Sequence, residues 1–452
     1  MTRGLGRIGL VWVLVWILAG GECPAEIVPL TVLFTSDFHA HVSPDENGRG
    51  GAARIAGYYQ QVRAEVPNVL ILDAGDMISG TPISSLFKGN PVFRILNHWG
   101  LDAAALGNHE FDSGWQRIEV YREIAGFPIL CANAYVMGPD GKLHILGDAE
   151  YAIFQRGALR IAVLGVITEY TPHITTRQAS EGVTFVPAIP ALRRLVREVQ
   201  DQCDLIIALT HAGLEQDLEL AKQVEGLDLI VGGHSHIRLK TERRINGVPI
   251  VHAGSKGQFI GRVDLTVDTD TDQIMDWSYR LLEVREELAP EDPATLEAVK
   301  EWESKVEELV DRPLGSASQP LTQKDLVFLA MAAFLESTGA DYAYHNSGGT
   351  RGTLPAGNFT YRAVWTIYPF ENTLVVAQVP GSRIPKNFYG MQPVDPAKTY
   401  KIVTNSYVRD QWEHDFPSFA DIQWEETGLS MRDSILRYIE KRKTVGRIQL
   451  TR

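Results

Sequence analysis

The sequence contains little cysteine and no excess of positive charge. Three of its 452 residues are cysteine and none lies in a CxxC pair, which argues against a disulfide framework and a thiolate metal site. The 43 lysine and arginine residues face 56 aspartate and glutamate residues, giving a net charge of −13. No long basic run interrupts this acidity. The composition therefore argues against a protein that binds polymeric nucleic acid over a broad surface.

The apolar run at the N-terminus is too short for a comfortable membrane span. Arg3 and Arg7 precede the run Ile8–Ala19, and small residues with Cys23 follow it. This order is typical of a secretory signal, whereas a bilayer span takes about 20 apolar residues. We therefore predict a signal peptide over residues 1–25 and a secreted or periplasmic protein without a stable membrane span after cleavage. An uncleaved membrane anchor, or a lipid anchor at Cys23, is the alternative.

The rest of the chain has the composition of a folded soluble protein, with 44% hydrophobic and 22% charged residues. From about residue 30 to 265, short apolar β-branched runs alternate with helix-like stretches such as Ala191–Gln202. Strands are predicted at Leu30–Thr35, Val69–Leu72, Ala103–Leu106, Pro128–Cys131, Arg160–Val166, Leu205–Leu209, Leu229–Val231 and Pro249–His252. Buried strands with helices between them predict an α/β layered domain.

Residues 284–312 differ from the rest in being rich in Glu, Lys and Ala without a strand-like run. Pro290 and Pro293 precede a helical pattern that Pro313 closes, which is typical of a helix between domains. The predicted organisation is a signal peptide at 1–25, a first domain at 26–283, a linker helix at 284–312 and a smaller α/β domain at 313–452.

Side chains able to bind metal follow five of the predicted strands. They are Asp37 and His39, Asp76, Asn108, His211, and His234 with His236. Because ligands of α/β sheets bind at the carboxyl ends of the strands, we expect these side chains to converge. Mixed nitrogen and oxygen donors without thiolate suit Mn²⁺, Zn²⁺, Co²⁺ or iron. The donors exceed what one ion needs, and the sequence therefore predicts two divalent metal ions.

The order of these motifs, DxH, GD, GNHE, H and GHxH, resembles that of the calcineurin-like metallophosphoesterases. The fuller motifs Gly107–Asp112 and Gly233–His236 resemble those of the two-domain 5′-nucleotidase family, which includes UDP-sugar hydrolases and 2′,3′-cyclic nucleotide phosphodiesterases. The resemblance covers about residues 30–440. It implies a four-layer β-sandwich flanked by helices, followed by a smaller α/β domain that selects the substrate.

Carried over residue by residue, the resemblance implies two groups of metal ligands. Asp37, His39 and His236 would hold one ion, Asp76 would bridge, and Asn108, His211 and His234 would complete the other. His109 and Asp112 match the catalytic dyad of the family, and Asp112 could orient the His109 ring and hold it protonated. The implied reaction is attack on phosphorus by a water activated between two metal ions.

In the second domain, Asn346–Arg351 resembles the family segment in which Asn and Arg contact the substrate, which implicates Asn346 and Arg351. An arginine after a glycine-rich turn also suits phosphate physically. Phe370 and Tyr407 match the two aromatic residues that stack on a nucleobase. After Tyr407, however, the Gly-Gly-Asp-Gly of the family is replaced by Arg409–Trp412.

The resulting hypothesis is an exported phosphoesterase that hydrolyses small phosphate esters, nucleotides above all, as a 5′-nucleotidase, UDP-sugar hydrolase or cyclic phosphodiesterase. A thiosulfohydrolase of sulfur oxidation on the same scaffold is one alternative, because the altered pocket has lost part of its nucleoside contacts. A metal-binding protein without catalysis is another, although the presence of His109 and Asp76 argues against it.

Overall fold

The strands of the first domain form two large sheets and one small three-stranded sheet. The computed structural model describes residues 26–415 and 421–451, so the predicted signal peptide lies outside the described residues. The strands are β1 (Ile27–Thr35), β2 (Val69–Asp73), β3 (Ala103–Ala105), β4 (Ile129–Leu130), β5 (Ala134–Met137), β6 (Leu143–Ile145), β7 (Tyr151–Arg156), β8 (Leu159–Ile167), β9 (Val183–Phe185), β10 (Leu205–His211), β11 (Leu229–Gly232), β12 (Arg243–Ile245), β13 (Val248–His252), β14 (Phe259–Asp268) and β15 (Gln273–Glu283).

Helices connect these strands and cover the sheets. They are α1 (Ala52–Glu65), α2 (Pro82–Phe87), α3 (Asn90–Leu96), α4 (Gln116–Ile124), α5 (Thr171–Ile174), α6 (Arg177–Ser180), α7 (Ala188–Val199), α8 (Leu214–Gln223) and α9 (Pro293–Val310). Short 3₁₀ turns lie at Asn97–Trp99 and His109–Phe111. None of the helices in residues 26–415 and 421–451 is long and apolar enough to cross a membrane.

Two six-stranded sheets pack face to face. Their strand orders are β15-β14-β1-β2-β3-β4 and β12-β13-β11-β10-β8-β7. The central strands pair in parallel, β1 with β2 and β2 with β3 in one sheet and β10 with both β8 and β11 in the other. Val32 and Leu72 of the first sheet share one buried core with Leu209 of the second. The parallel pairing brings the carboxyl ends of the strands that precede the predicted ligands to one end of this sandwich.

The opposite faces of both sheets are covered by helices. Ile55 of α1 packs with Leu33 on the first sheet, and Leu192 of α7 packs with Leu164 on the second. Alternate residues of β1, Val32 and Leu33, thus enter different cores because successive strand side chains point to opposite faces. The predicted four-layer sandwich flanked by helices is confirmed.

The antiparallel edge strands β14 and β15 do not appear among the strands predicted from the sequence. In β14, buried residues alternate with half-buried polar ones such as Arg262 and Asp264, and β15 has only half-buried and exposed residues, because one face of this edge is open to solvent. A search for continuous apolar runs therefore passes over them, while the eight predicted strands correspond to β1, β2, β3, β4, β8, β10, β11 and β13.

The second domain contains two smaller sheets. Its strands are β16 (Pro313–Ala317), β17 (Tyr342–Ala343), β18 (Gly357–Thr360), β19 (Thr373–Pro380), β20 (Tyr389–Gly390), β21 (Thr399–Asn405), β22 (Glu425–Ser430) and β23 (Thr444–Val445), in the orders β18-β16-β23 and β20-β17-β21-β19-β22. Its helices are α10 (Gln323–Thr338), α11 (Tyr361–Ile367), α12 (Ser406–Asp415) and α13 (Met431–Arg442). Helix α9, inside the predicted linker, buries Val299 and Val306 against the first domain.

Candidate metal centre and substrate cleft

The seven predicted ligand residues meet where β1, β2, β3, β10 and β11 end. The described His and Asp side chains form three groups whose candidate ligand atoms lie within 4.8 Å of one another. The groups are Asp37, His39 and His236; His39, Asp76 and His109; and Asp76, His211 and His234. Asp76 belongs to two groups, which agrees geometrically with a carboxylate between two cations.

Potential ligand atoms face one another at short distances on both sides of Asp76. In one group, His236 Nε2 lies 2.9 Å from His39 Nε2 and 3.4 Å from Asp37 Oδ1. In the other, His211 Nε2 lies 3.1 Å from Asp76 Oδ2, and Asn108 Oδ1 lies 2.8 Å from His234 Nδ1. Oxygen and nitrogen atoms that converge in this way match the donor set of a non-thiolate divalent site.

The protonation tendencies of these groups fit cation binding. Burial raises the pKa of Asp37 to about 7, because its charge lacks solvation. Burial also lowers the pKa of His39 well below its usual range and lowers the pKa values of His234 and His236 to about 4. Neutral imidazole is the form that ligates a metal. Cations at this position would therefore compensate the buried carboxylates without first displacing protons from these three histidines.

His211 illustrates how the protein fixes the tautomer of one ring. Burial would lower its pKa, but the carboxylates of Asp76 and Asp37 outweigh burial and raise it to about 10. Its Nδ1–H donates to the Ala74 carbonyl at 2.7 Å, so Nε2 points at Asp76. A divalent cation would take the place of the proton on Nε2, which makes His211 a well-oriented ligand.

The loops that carry the ligands adopt strained backbone conformations. Five of the seven candidate ligands have positive φ, namely Asp37 (51°), His39 (49°), Asp76 (54°), His234 (75°) and His236 (55°). Each such residue costs on the order of 1–3 kcal/mol, so the surrounding contacts must hold it. Position 107 has room for glycine but not for a larger residue, because a Cβ there would lie 2.3 Å from the Asp76 backbone nitrogen.

Glu110 is one of the contacts that hold these loops, and its role was missed from the sequence although it lies inside the GNHE motif. Its fully buried carboxylate accepts backbone N–H bonds from Gly107 at 2.8 Å, Met77 at 2.9 Å and Asp76 at 3.2 Å. Burial, with the neighbouring Asp76 carboxylate, raises the pKa of Glu110 to about 7. Glu110 thereby joins the loop of Asp76 to the loop of Asn108.

Replacing Glu110 by Gln is expected to lower the free energy of unfolding by about 2–4 kcal/mol, because an amide NH₂ would face backbone donors in a buried site. Urea denaturation of the metal-free and metal-loaded proteins measures the loss, and metal analysis should show weaker retention. Glu119→Gln, at an exposed position of α4, is the matched control. Equal denaturation midpoints for the two variants would contradict the role assigned to Glu110.

His109 and Asp112 lie beside the metal groups in the arrangement expected of a dyad. His109 Nδ1 is 2.9 Å from Asp112 Oδ2, and His109 Nε2 is 4.0 Å from Asp76 Oδ2. Burial would lower the pKa of His109, but Asp112 and Asp76 outweigh it and raise the pKa to about 9. The Ser79 hydroxyl also donates to Asp112, a contact that no local sequence signal predicts.

Both domains line the cleft in front of this dyad. The cleft has a volume of about 990 Å³, and it is lined by His109 and Asp112 together with the four predicted substrate residues Asn346, Arg351, Phe370 and Tyr407. Within the described residues, no carboxylate lies in ion-pair distance of the Arg351 guanidinium, which stands 5.3 Å from the centre of the Phe370 ring. Burial lowers the pKa of Arg351 from its usual value.

The segment that departs from the family pattern forms the first turns of α12. Arg409 pairs with Asp410 at 2.6 Å and with Glu426, while Trp412 stacks on Tyr344 at 5.0 Å. The other Asp410 oxygen accepts the Arg177 backbone N–H of the first domain at 2.6 Å. The charged residues of this segment therefore bind one another and the first domain.

Comparison with known proteins agrees with this architecture. The family profile described as calcineurin-like phosphoesterase matches residues 30–238, and that of the 5′-nucleotidase C-terminal domain matches residues 304–389. A 5′-nucleotidase of Vibrio vulnificus is 30% identical over 81% of this chain and 76% of its own length. The chain belongs to the 5′-nucleotidase family. As a member of this family, it is a metal-dependent hydrolase of phosphoric esters.

Solved structures with the same fold include a 5′-nucleotidase precursor from Thermus thermophilus. It superposes with a TM-score of 0.82 at 26% identity, over 93% of this chain and 98% of that chain. A sulfate thiohydrolase, SoxB, of Thermus thermophilus superposes with a TM-score of 0.74 at 17% identity, over 93% of this chain and 95% of that chain. The second likeness is one of fold alone.

Proposed function

We propose that this enzyme releases phosphate from nucleotides outside the cytoplasm, using two divalent metal ions. The observation that carries the proposal is the cleft that His109 and Asp112 line together with Arg351 and with the candidate ligands Asn108 and His234. A phosphate in this cleft would meet the Arg351 guanidinium on one side and the ligand cluster on the other. The proposed ligand sets are those inferred from the sequence, with Asp76 shared.

The metal ions would lower the pKa of a water and neutralise charge on the phosphoryl oxygens. The protein groups supply the remaining contributions. Arg351 can hold non-bridging phosphate oxygens through its planar guanidinium, with Asn346 beside it in the cleft. Asp112 accepts from His109 Nδ1, which leaves Nε2 free to donate a proton or a hydrogen bond toward the reacting phosphate.

Local charge explains how an acidic protein would attract an anionic substrate. Two divalent ions would bring about +4, and the carboxylates of Asp37 and Asp76 would return about −2, before His109 and Arg351 are counted. At physiological salt the Debye length is about 8 Å, so a substrate in the cleft experiences these groups more strongly than the distant acidic surface. The net charge of −13 is therefore compatible with small phosphate esters.

Phe370 and Tyr407 would recognise the leaving group, which favours a nucleoside over a small alcohol. Both line the cleft from the second domain, and aromatic stacking contributes about 1–3 kcal/mol per base. The ion pairs of Arg409 favour a nucleoside monophosphate as the substrate. This side chain is already paired with Asp410 and Glu426, so it is not free to bind a second phosphate group. The relative from Vibrio vulnificus bears the name 5′-nucleotidase.

A panel of substrates tests the proposal. The full-length chain is expressed for export, the N-terminus of the recovered protein is sequenced to locate cleavage near Glu26, and the protein is assayed with Mn²⁺. The substrates are AMP, UDP-glucose, 2′,3′-cyclic AMP, β-glycerophosphate and a cysteine thiosulfonate peptide. We expect metal-dependent phosphate release with the highest kcat/KM for AMP. Absence of turnover on every phosphate ester would refute the proposal, and sulfate release from the peptide alone would favour the thiosulfohydrolase.

A further inference from the structure

The Phe370 ring, which comes from the second domain, forms an offset, nearly parallel stack with the His109 ring of the first. The two ring centres are 5.9 Å apart and the planes are inclined by 17°. This distance and near-parallel arrangement lie within the range of favourable aromatic pairs. A ring that served only a nucleobase would not need this contact with the imidazole of the dyad.

Besides Phe370, the His109 ring contacts the side chains of Asp112 and His39. Its Nδ1 contacts Asp112 at 2.9 Å, and the His39 ring meets it edge-on with centres 5.1 Å apart. Of the two rings that contact His109, Phe370 is the one that lies nearly parallel to the imidazole plane. The flat surface of Phe370 supports the imidazole, because a stacked ring resists tilting of the imidazole plane.

A buried arginine fixes the segment that presents Phe370. The Arg432 guanidinium donates to the carbonyls of Tyr368 at 2.8 Å, Pro369 at 2.5 Å and Phe370 at 3.3 Å. Arg432 is only 5% exposed and lies over the Trp365 ring at 3.9 Å. The planar fork of an arginine is needed to serve several carbonyls at once, which a lysine cannot do in the same geometry.

The first domain holds the same segment from the opposite side. The Ser85 hydroxyl in α2 donates to the Pro369 carbonyl at 3.2 Å. The segment before Phe370 is thus tied both to α13 and to the domain that carries His109. These contacts order the backbone at the residue whose ring meets the dyad.

We propose that Phe370 is a positioning residue that holds the His109 imidazole so that Nε2 faces the phosphate, and that Arg432 secures Phe370 for this purpose. The inference rests on the proposed function of His109 in phosphate-ester hydrolysis. It adds a role for Phe370 that is independent of the leaving group. Small displacements of a reacting group lower rates strongly, so loss of the ring should reduce kcat itself.

The test compares Phe370→Leu with the wild type on AMP and on β-glycerophosphate, which has no base to stack. We expect kcat to fall about 10- to 100-fold on both substrates while the metal content is unchanged. Phe370→Tyr, which keeps the ring, should restore kcat. An increase of KM for AMP, with kcat preserved on both substrates, would show that Phe370 serves the base only and would overturn the proposal.

A measurement without turnover keeps the two proposals distinguishable. In protein labelled with ¹³C at histidine, the stacked Phe370 shields the His109 ring protons, and Phe370→Leu should move them downfield. Unchanged His109 signals in this variant would contradict the stack even if the wild type hydrolyses AMP. Conversely, the wild type could lack phosphatase activity while Phe370→Leu still moves the His109 signals. That result would refute the proposed function and leave the stacking contact intact.

Arg432 is tested against an arginine of the same helix. Arg432→Lys should lower kcat on both substrates, as Phe370→Leu does. It should also move the His109 proton signals downfield, as Phe370→Leu does. Arg437→Lys, at an exposed position of α13, should leave both unchanged. If Arg432→Lys retains full kcat and wild-type His109 signals, Arg432 has no part in positioning Phe370.

Discussion

Removing the metal ions from the purified protein is expected to lower its turnover of phosphate esters at least about 1,000-fold. A metal ion contributes several kcal/mol of charge stabilisation in the transition state, and each 1.36 kcal/mol corresponds to about a tenfold change in rate. Once the ions are gone, His39, His234 and His236 are neutral and the buried Asp76 carboxylate offsets the charge of His211, so the site keeps no equivalent positive charge. Dialysis against a chelator, followed by readdition of Mn²⁺, measures both the loss and the recovery.

The carboxylate proposed to bridge the two ions provides the corresponding variant. Asp76 is buried, contacts His211 Nε2 at 3.1 Å and accepts the His109 backbone N–H at 2.8 Å, so Asp76→Ala removes the proposed shared ligand and a loop contact together. Metal analysis should show fewer than two ions per chain, and turnover should fall as far as with the chelator. Asp201→Asn, at an exposed position, should bind metal normally. Full activity after complete removal of divalent metal would contradict the assignment.

Replacing His109 by Ala is expected to lower kcat at least about 100-fold while the protein retains its metal. General acid catalysis and electrostatic stabilisation each contribute on this scale. Retention is expected because neither of the two proposed ligand sets includes His109, and the groups Asp37–His39–His236 and Asp76–His211–His234 remain intact without it. Metal content and kcat with AMP are measured on the same preparation, with His144→Ala at an exposed strand position as control.

The leaving group distinguishes the two ways in which His109 can act. If its Nε2 donates a proton to the departing oxygen, the loss in His109→Ala should be much smaller with p-nitrophenyl phosphate than with AMP, because p-nitrophenolate leaves without a proton. If it only stabilises charge on the phosphoryl oxygens, the two losses should be equal. A near-normal rate with both substrates would remove His109 from the reaction.

The strand ends could be predicted from the sequence because they are encoded locally. Apolar β-branched runs such as Leu205–Leu209 define strands. The polar residue that follows such a run lies at the carboxyl end of its strand, independently of the tertiary fold. The edge strands β14 and β15 were not predicted, since alternating burial leaves no continuous apolar run. Glu110 was visible in its motif, but its acceptor role depends on the loop of Asp76, more than 30 residues away in sequence.

The sequence by itself determined the layered α/β class, the order of the ligand-bearing motifs and the family, because these depend on short-range patterns and on residue types at strand ends. Only the tertiary structure decided which side chains support the dyad. The stack of Phe370 on His109 and the bonds from Arg432 to the Phe370 segment join residues far apart in the chain. Such contacts arise from the packing of two domains and leave no periodic signal in the residues that make them.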